Sequence, residues 1–269
     1  MSKYPLVSII IPCYNHERYV QQCLDSVLTD DYHNKEIVII DDGSTDRSKQ
    51  VIAEWINTNE AAINVIYRTQ KNSGICNTLN NLINYANGEY VAILASDDKL
   101  NINGIRERVD YLLKFPDKMV VFGDSIIIDE NSIVTHHSSF LLHKGDLRDF
   151  ETNDGMFDAL VVKGWPSPGP VTLVKKDYYR KFGYYPKDLL MEDQFFYLTA
   201  IANSVLGYLD KPVAYYRIHS ISLSRNPQRK RQVLRDLAKT YFRRMNLFKA
   251  KQKTILLLRG LKIYIKSFL

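Results

Sequence analysis

The sequence predicts an α/β fold, a mostly parallel sheet flanked by helices. Three observations carry that expectation. Short apolar runs of strand length alternate with stretches whose apolar residues fall at helical spacing. The runs are apolar at nearly every position, as in strands covered on both faces. Two of them end abruptly in paired acids, Asp41-Asp42 and Asp97-Asp98, the end of a strand at which open α/β sheets bind ligands.

Val7-Ser-Ile-Ile-Ile-Pro-Cys13 reads as the first buried strand, stopped by Pro12 and followed by Tyr14-Asn15. Apolar residues at Val20, Leu24, Val27 and Leu28 give a helix over Glu17 to Leu28. A second strand runs from Glu36 to Asp41 and turns at Asp42-Gly43-Ser44, and Asp46 caps a helix reaching about Ile56. Ile63 to Tyr67 is a third strand, Gly74 opens a helix to about Tyr85, and Asn87-Gly88 turns the chain into Tyr90-Val-Ala-Ile-Leu-Ala95. Beyond Asp98, Ile102 to Phe115 reads as a helix with Arg106, Arg108 and Lys114 on a basic solvent face. Met119 to Ile128 is another strand. Residues 130–160 carry no clear pattern, and His136, His137 and His143 lack helical metal-ligand spacing and read as solvated loop residues. Gly164 to Pro170 is a stiff loop, Pro170 to Lys175 a short strand and Asp177 to Phe182 a short helix. Leu190 to Ile201 is a helix with Glu192 and Asp193 in its first turn, where the helix dipole favours acids, so both fit a capping role as well as a chemical one. Val205 to Ile218 reads as a pair of strands.

Adjacent acids at a strand tip repel each other and are costly to dehydrate unless a cation neutralises them. Mg²⁺ or Mn²⁺ takes one or two carboxylates and fills its other positions with water and phosphate oxygens. Asp97-Asp98 therefore reads either as a metal-diphosphate site or as a solvated turn. Asp42 offers a carboxylate to a base or ribose hydroxyl, or serves as a turn acid. Trp165 stacks on a sugar face or packs as a lid on the core. Neither GxGxxG nor GxxxxGK[ST] is present, which leaves a dinucleotide fold and a P-loop unsupported.

Composition agrees with an ordinary globular protein: 45% of the 269 residues are hydrophobic and 25% charged. The 18 tyrosines suit contact with ring-shaped ligands, and equally a Tyr-rich core. Cys13, Cys23 and Cys76 form no CxxC pair, which points to a reducing compartment. No charged-then-apolar leader and no run of about 20 apolar residues is seen, so neither a signal peptide nor a bilayer span is expected. The net charge of +6 is unevenly spread. From Arg225 onward there are 14 Lys or Arg against the single acid Asp236, leaving 22 against 29 acids in the rest. That contrast marks a boundary near Ser224 to Pro227.

Several short motifs occur in a fixed order: Val7 to Asn15, Ile39-Ile-Asp-Asp-Gly-Ser-Thr-Asp46, Asn72-Ser-Gly74 with Asn80, Gly88-Glu-Tyr90 with Ser96-Asp-Asp98, Glu192-Asp193 and Tyr216-Arg-Ile-His219. In this the chain resembles the inverting, family-2 nucleotide-sugar glycosyltransferases with the GT-A fold, many of which build bacterial O-antigen and capsular polysaccharides. The likeness covers about residues 5–225. It implies a Rossmann-like GT-A domain over residues 1–226, with a nucleotide-binding half (1–99) and an acceptor-binding half (100–226). It implies a nucleoside-diphosphate sugar donor, contacted by Pro12, Tyr14, Asp42, Asn72 and Asp97. It implies Mn²⁺ or Mg²⁺ on Asp98, with His219 as a second ligand or simply a satisfied histidine at a strand end. Asp193 matches the family's catalytic base, and Glu192, with Trp165, is a candidate for contact with a glycan or lipid-linked oligosaccharide acceptor. One departure is Ala95, where many members carry a further acid. A general base on the acceptor hydroxyl and a cation on the diphosphate are what direct displacement at an anomeric carbon requires.

Residues 227–269 form a basic helical tail. Arg259, Lys262 and Lys266 make one stripe against Ile255, Leu258, Leu261, Ile265 and Phe268-Leu269. Such a helix lies in an anionic membrane interface, or docks on the body with its basic side solvated. No nucleic-acid motif accompanies the charge. The expectation is thus a cytoplasmic enzyme at the inner face of the plasma membrane. Two rivals stand beside it, a nucleotidyltransferase making nucleotide sugars and a non-catalytic nucleotide- or glycan-binding module. The former usually has a Gly-rich phosphate loop where this chain has Cys13-Tyr-Asn-His16.

Overall fold

A computed structural model describes residues 4–219 and 229–268. The charge boundary near Ser224 to Pro227 and the terminal Leu269 lie outside the described residues. The first half alternates β1 (Val7–Cys13), α1 (Val20–Thr29), β2 (Lys35–Asp41), α2 (Ser48–Asn59), β3 (Asn64–Thr69), α3 (Ile75–Tyr85) and β4 (Tyr90–Ile93). It continues through β5 (Lys99–Leu100), α4 (Gly104–Lys114), β6 (Val120–Ile128), β7 (Val134–His136), α5 (Ser139–Leu142), α6 (Asn153–Asp158), β8 (Thr172–Lys175), α7 (Asp177–Phe182), α8 (Asp193–Ala202), β9 (Leu206–Arg217), α9 (Lys230–Arg244) and α10 (Ala250–Lys266).

Among the described residues nine strands form one sheet in the order β3-β2-β1-β4-β8-β6-β9-β5, with β7 on the side of β6. β3, β2, β1 and β4 are parallel, as the β-α-β alternation requires. β8 enters antiparallel between β4 and β6, and β6 is parallel to β9. The apolar strands are covered on both faces. Ile9, Ile11, Ile37 and Ile39 pack with α1, α2 and α4, while Ile10, Val38 and Ile40 pack with α3 and the aromatic half of the chain.

The link after β4 positions the site. Only five residues separate β4 from β5, yet β5 forms the far edge of the sheet by pairing with β9, Lys99 opposite Tyr215 and Leu100 opposite Ala214. The sheet therefore curls until the end of β9 meets the tip of β4. The expected strand pair over Val205 to Ile218 is instead the single strand β9. The exposed Asp210-Lys211-Pro212 segment has no left-handed residue to reverse the chain, and it bulges where Phe122 pairs with Tyr208 but Asp124 with Pro212.

Arg108 also differs from expectation. It is fully buried, not on the solvent face, and donates from Nε to the Gly104 carbonyl (2.8 Å) and from Nη1 to the Thr172 carbonyl (2.9 Å). Its spacing explains this: Ile105, Arg108, Val109 and Leu112 fall on one helical face, and that face is the buried one. Burial lowers its guanidinium pKa to about 10, with the Asp30 charge opposing the drop. Asp46, expected to cap α2, stands one residue before its N-cap Arg47, and its carboxylate accepts from the first amide of the helix at Ser48 (2.9 Å).

α9 and α10 form a hairpin docked on the body. Leu256 and Gly260 are buried, and a Cβ at Gly260 would stand 2.7 Å from the Phe242 ring. The opposite side of α10 leaves Leu257, Leu258, Leu261, Tyr264, Ile265 and Phe268 exposed. Among the described residues no helix is long and apolar enough to cross a membrane.

Candidate active site

Three strand ends meet at one edge. Beyond β1, Tyr14 is exposed, and Asn15 adopts a left-handed conformation (φ 56°) that folds the chain back toward α2. Asn15 is held on both sides, its amide donating to Ser44 Oγ (2.9 Å) and its Oδ1 accepting from the Thr45 amide (2.8 Å). The His16 amide donates to Ser48 Oγ (2.9 Å).

Asp42 follows β2 and is buried. One oxygen accepts from Gln70 Nε2 (2.8 Å) and the Ser73 amide (2.9 Å), and the other accepts from the Gly74 amide (3.1 Å). Those bonds draw the exposed Asn72 segment against the turn after β2. The approach is close enough that Gly43, at φ +79°, has room for no side chain: a Cβ there would lie 2.8 Å from the Asn72 amide nitrogen. Asp42 is thus turned toward the β3–α3 segment and pins the stretch that carries Asn72. Asn80 is structural too, exchanging a pair of hydrogen bonds with the Tyr185 backbone (2.9 and 3.0 Å).

At the tip of β4 the two acids separate. Asp98 turns inward, where its Oδ1 accepts from the Arg217 amide (2.7 Å). Asp97 turns outward, its Oδ2 lying 2.9 Å from His219 Nε2 and 3.8 Å from His16 Nε2. A tight turn, with the Asp98 amide on the Ala95 carbonyl, sends the neighbouring side chains opposite ways. The acid beside His219 is therefore Asp97, whereas the motif had pointed to Asp98. His16, unremarked in the sequence, joins them as a third donor: ligand atoms of His16, Asp97 and His219 all lie within 4.8 Å of one another. His16 Nδ1 is bonded to Ser96 Oγ (2.7 Å).

Arg217 braces the tip from beneath. Fully buried, it donates from Nε to the Asp97 carbonyl (2.7 Å), from Nη2 to Gln22 (2.9 Å) and from Nη1 to Ser132 (2.9 Å), and it lies over the Tyr19 ring. Its charge is thereby directed at carbonyl and side-chain oxygens instead of the Asp97 carboxylate. Burial works to raise the Asp97 carboxyl, but the His219 hydrogen bond and the histidine charges outweigh it and hold the group below the usual carboxylate range. Burial and the Asp97 charge push the Asp98 carboxyl well above that range.

Glu192 and Asp193 open α8. Asp193 is exposed, with Oδ1 accepting from the Gln194 amide (2.8 Å). The protein mass around it raises its carboxyl above the ordinary value, and burial together with the Asp193 charge pushes the half-buried Glu192 up to about 8. The segment before them is anchored on both sides: Tyr185 on Asn80 of α3, and the Leu190 amide on Asp236 of α9 (3.0 Å). Trp165 is half-buried among Tyr197, Phe122 and Phe150 (ring centroids 4.6, 4.8 and 5.6 Å), the arrangement of a core lid. A separate cleft at the start of β4, lined by residues including Asn84, Glu89, Lys176 and Arg180, lies at the other end of that strand from the acids.

Comparison with known proteins identifies the family and the fold. Over 92 residues the chain is 39% identical to glycosyltransferase GlyA of Streptococcus pneumoniae serotype 4, a match covering 34% of this chain and 13% of that protein. Over 110 residues it is 34% identical to the putative teichuronic acid biosynthesis glycosyltransferase TuaG of Bacillus subtilis, covering 41% and 43%. The matches thus span less than half the length of either relative. The fold is similar to S. aureus TarS 1–349 in complex with UDP-GlcNAc (TM-score 0.69, 20% identity, 97% of this chain and 72% of that one). It is also similar to the mannosyltransferase PcManGT from Pyrobaculum calidifontis in complex with GDP-Man and Mn²⁺ (TM-score 0.67, 19% identity, 99% and 74%). These likenesses identify the fold as GT-A. Residues 8–169, more than half of the sequence, match the glycosyl transferase family 2 profile, and the chain belongs to that family.

Proposed function

We propose that this protein transfers one sugar, with inversion, from a nucleoside-diphosphate sugar to a growing surface glycan, with Asp193 as general base. The observation that carries the reading is the meeting of Asp97 and His219, 122 residues apart in sequence, at a strand tip of a family-2 glycosyltransferase fold. TarS was solved with UDP-GlcNAc and PcManGT with GDP-Man, and relatives include a teichuronic acid biosynthesis glycosyltransferase and a hyaluronan synthase. These support a nucleotide-sugar donor and a polysaccharide acceptor, which we take to be lipid-linked. Tyr14, Pro12 and the Asn72 segment would face the nucleotide.

A carboxylate and an imidazole are a donor set that fits a divalent ion, so Asp97 and His219 would hold Mn²⁺ or Mg²⁺. When bound, such an ion neutralises charge developing on the departing diphosphate. Asp193 accepts the proton of the acceptor hydroxyl while that oxygen bonds to the anomeric carbon. The bond to the diphosphate breaks in the same step, and its electron pair leaves with the phosphate oxygen. An exposed carboxylate in the first turn of α8 is open to an incoming acceptor hydroxyl, as a general base must be. Buried Asp98 would then position Arg217 and the β9 end.

The same reading places the protein on the cytoplasmic face of the plasma membrane, residues 227–269 acting as the attachment tail. The apolar row of α10 with Lys262 and Lys266 supports this. A nucleotidyltransferase fits less well, since the segment after β1 is held by side-chain bonds to the α2 region and has no glycine-rich phosphate loop. A screen of nucleotide sugars with Mn²⁺ and Mg²⁺, reading release of nucleoside diphosphate, tests the proposal. One donor class should be turned over in the presence of an acceptor extract. No release with any donor would overturn it.

A further inference from the structure

We propose that His16 is a third protein ligand of the ion at the β4 tip, giving a site of two imidazoles and one carboxylate that takes a transition ion in preference to Mg²⁺. This rests on the reading that Asp97 and His219 hold the ion. Three observations favour it. First, His16 is aimed: the backbone is fixed by left-handed Asn15 and the bond to Ser48, and Nδ1 is tied to the buried Ser96 hydroxyl at 2.7 Å, leaving Nε2 toward Asp97. A hydrogen bond at one ring nitrogen is how metal-ligating histidines are commonly oriented.

Second, Nε2 stops 3.8 Å from Asp97 Oδ2, too far for a hydrogen bond. The histidine thus faces the carboxylate without bonding to it. Two donors at about 2.1 Å from one ion and at right angles stand about 3 Å apart. The His219 to Asp97 separation of 2.9 Å already meets that spacing, and the three donor atoms, all within 4.8 Å of one another, need only a small inward shift of His16. Third, the nearby guanidinium of Arg217 is committed to the Asp97 carbonyl, Gln22 and Ser132. The carboxylate is therefore not neutralised by a direct guanidinium bond.

The donor chemistry sets the selectivity. Mg²⁺ prefers oxygen ligands and gives up water reluctantly, whereas imidazole suits ions later in the first transition row. Co²⁺ should accordingly bind the full-length, chelator-stripped protein more tightly than Mg²⁺, by at least about tenfold, with Mn²⁺ between the two.

The test is spectroscopic and independent of turnover. Nitrogen couplings in pulsed electron paramagnetic resonance of Mn²⁺ bound to the wild-type chain should report two imidazoles, and His16→Gln should reduce them to one while weakening Mn²⁺ about tenfold or more. Two couplings in the wild type that survive in His16→Gln, or one coupling in both, would overturn the role of His16. Asp97→Asn separates the two levels. If it abolishes Mn²⁺ binding while His16→Gln has no effect, only the third ligand is wrong. If Asp97→Asn also leaves binding unchanged, the ion site itself is wrong.

Discussion

At the scale of single residues the site is divided by which way neighbours point. The sequence marked Asp97 and Asp98 as a pair at a strand tip but had no means of separating them, because the choice is made by one turn and by the arrival of Arg217 from β9. His16 was illegible for a related reason. Its significance appears only through the parallel register of β1 and β4, which runs from Val7 opposite Tyr90 to Ile10 opposite Ile93 and brings the chain after Cys13 out beside Ser96. Glu192 and Asp193 were legible as a pair, while the split between them depends on burial. The half-buried Glu192, pushed up to about 8, stays protonated near neutral pH and leaves the negative charge to Asp193. Because its folded pKa lies above the unfolded value of about 4.3, the folded state binds that proton more tightly, and stability falls as pH rises from about 4.3 through about 8. Thermal melts at pH 6 and pH 9 should show a loss in the wild type that Glu192→Gln, a mimic of the protonated form, largely removes. Equal losses in both proteins would argue that Glu192 is not the titrating group.

At the scale of elements, the β-α-β half was readable almost strand by strand. Its buried parallel strands are continuous apolar runs and its helices keep a 3.6-residue period. Residues 130–160 were not, since they build short helices and turns whose apolar members, Phe140, Phe150, Met156 and Phe157, enter the core without any regular spacing. The sequence left the tail either at a membrane or docked on the body, and α9 reaches into the body. Asp236, buried at 3% exposure, accepts from the Leu190 amide three residues before Asp193, and Arg243 adds a surface pair with Asp188. Asp236→Ala strands a backbone donor and should cost about 1–3 kcal/mol in denaturant unfolding, with a drop in transfer rate, whereas Asp236→Asn keeps an acceptor and should recover most of both. The exposed Asp188→Ala should cost under about 1 kcal/mol. Equal behaviour of Asp236→Ala and Asp188→Ala would deny α9 any part in holding the base.

At the scale of the whole molecule, the curl of the sheet makes the site. β5 leaves the tip of β4 and pairs with β9, so residues from the first hundred and from beyond Arg217 share one edge. A local pattern does not reveal that closure, which is why the acids were legible in the residues themselves, while His219 entered only through the family resemblance and His16 was given no role. The charge division of the chain has its own consequence. The mildly acidic body carries a basic hairpin whose outer side bares Leu258, Leu261, Ile265 and Phe268. The sequence posed docking and membrane binding as alternatives; α10 docks through Leu256 and Gly260, and the proposed membrane contact would use its exposed side. Vesicles containing anionic lipid should sediment the protein in a manner weakened by salt, and Leu258→Ser with Ile265→Ser should abolish it without lowering the melting temperature. Sedimentation unchanged by that double substitution would place the attachment elsewhere.

The most direct measurement pairs donor affinity with transfer rate for Asp193→Asn, using the nucleotide sugar that the wild type turns over. The expected result is unaltered binding of the donor and its ion, with transfer slower by about a hundredfold or more, the usual worth of a positioned general base. Transfer at the wild-type rate by Asp193→Asn would contradict the assignment of Asp193 as the base.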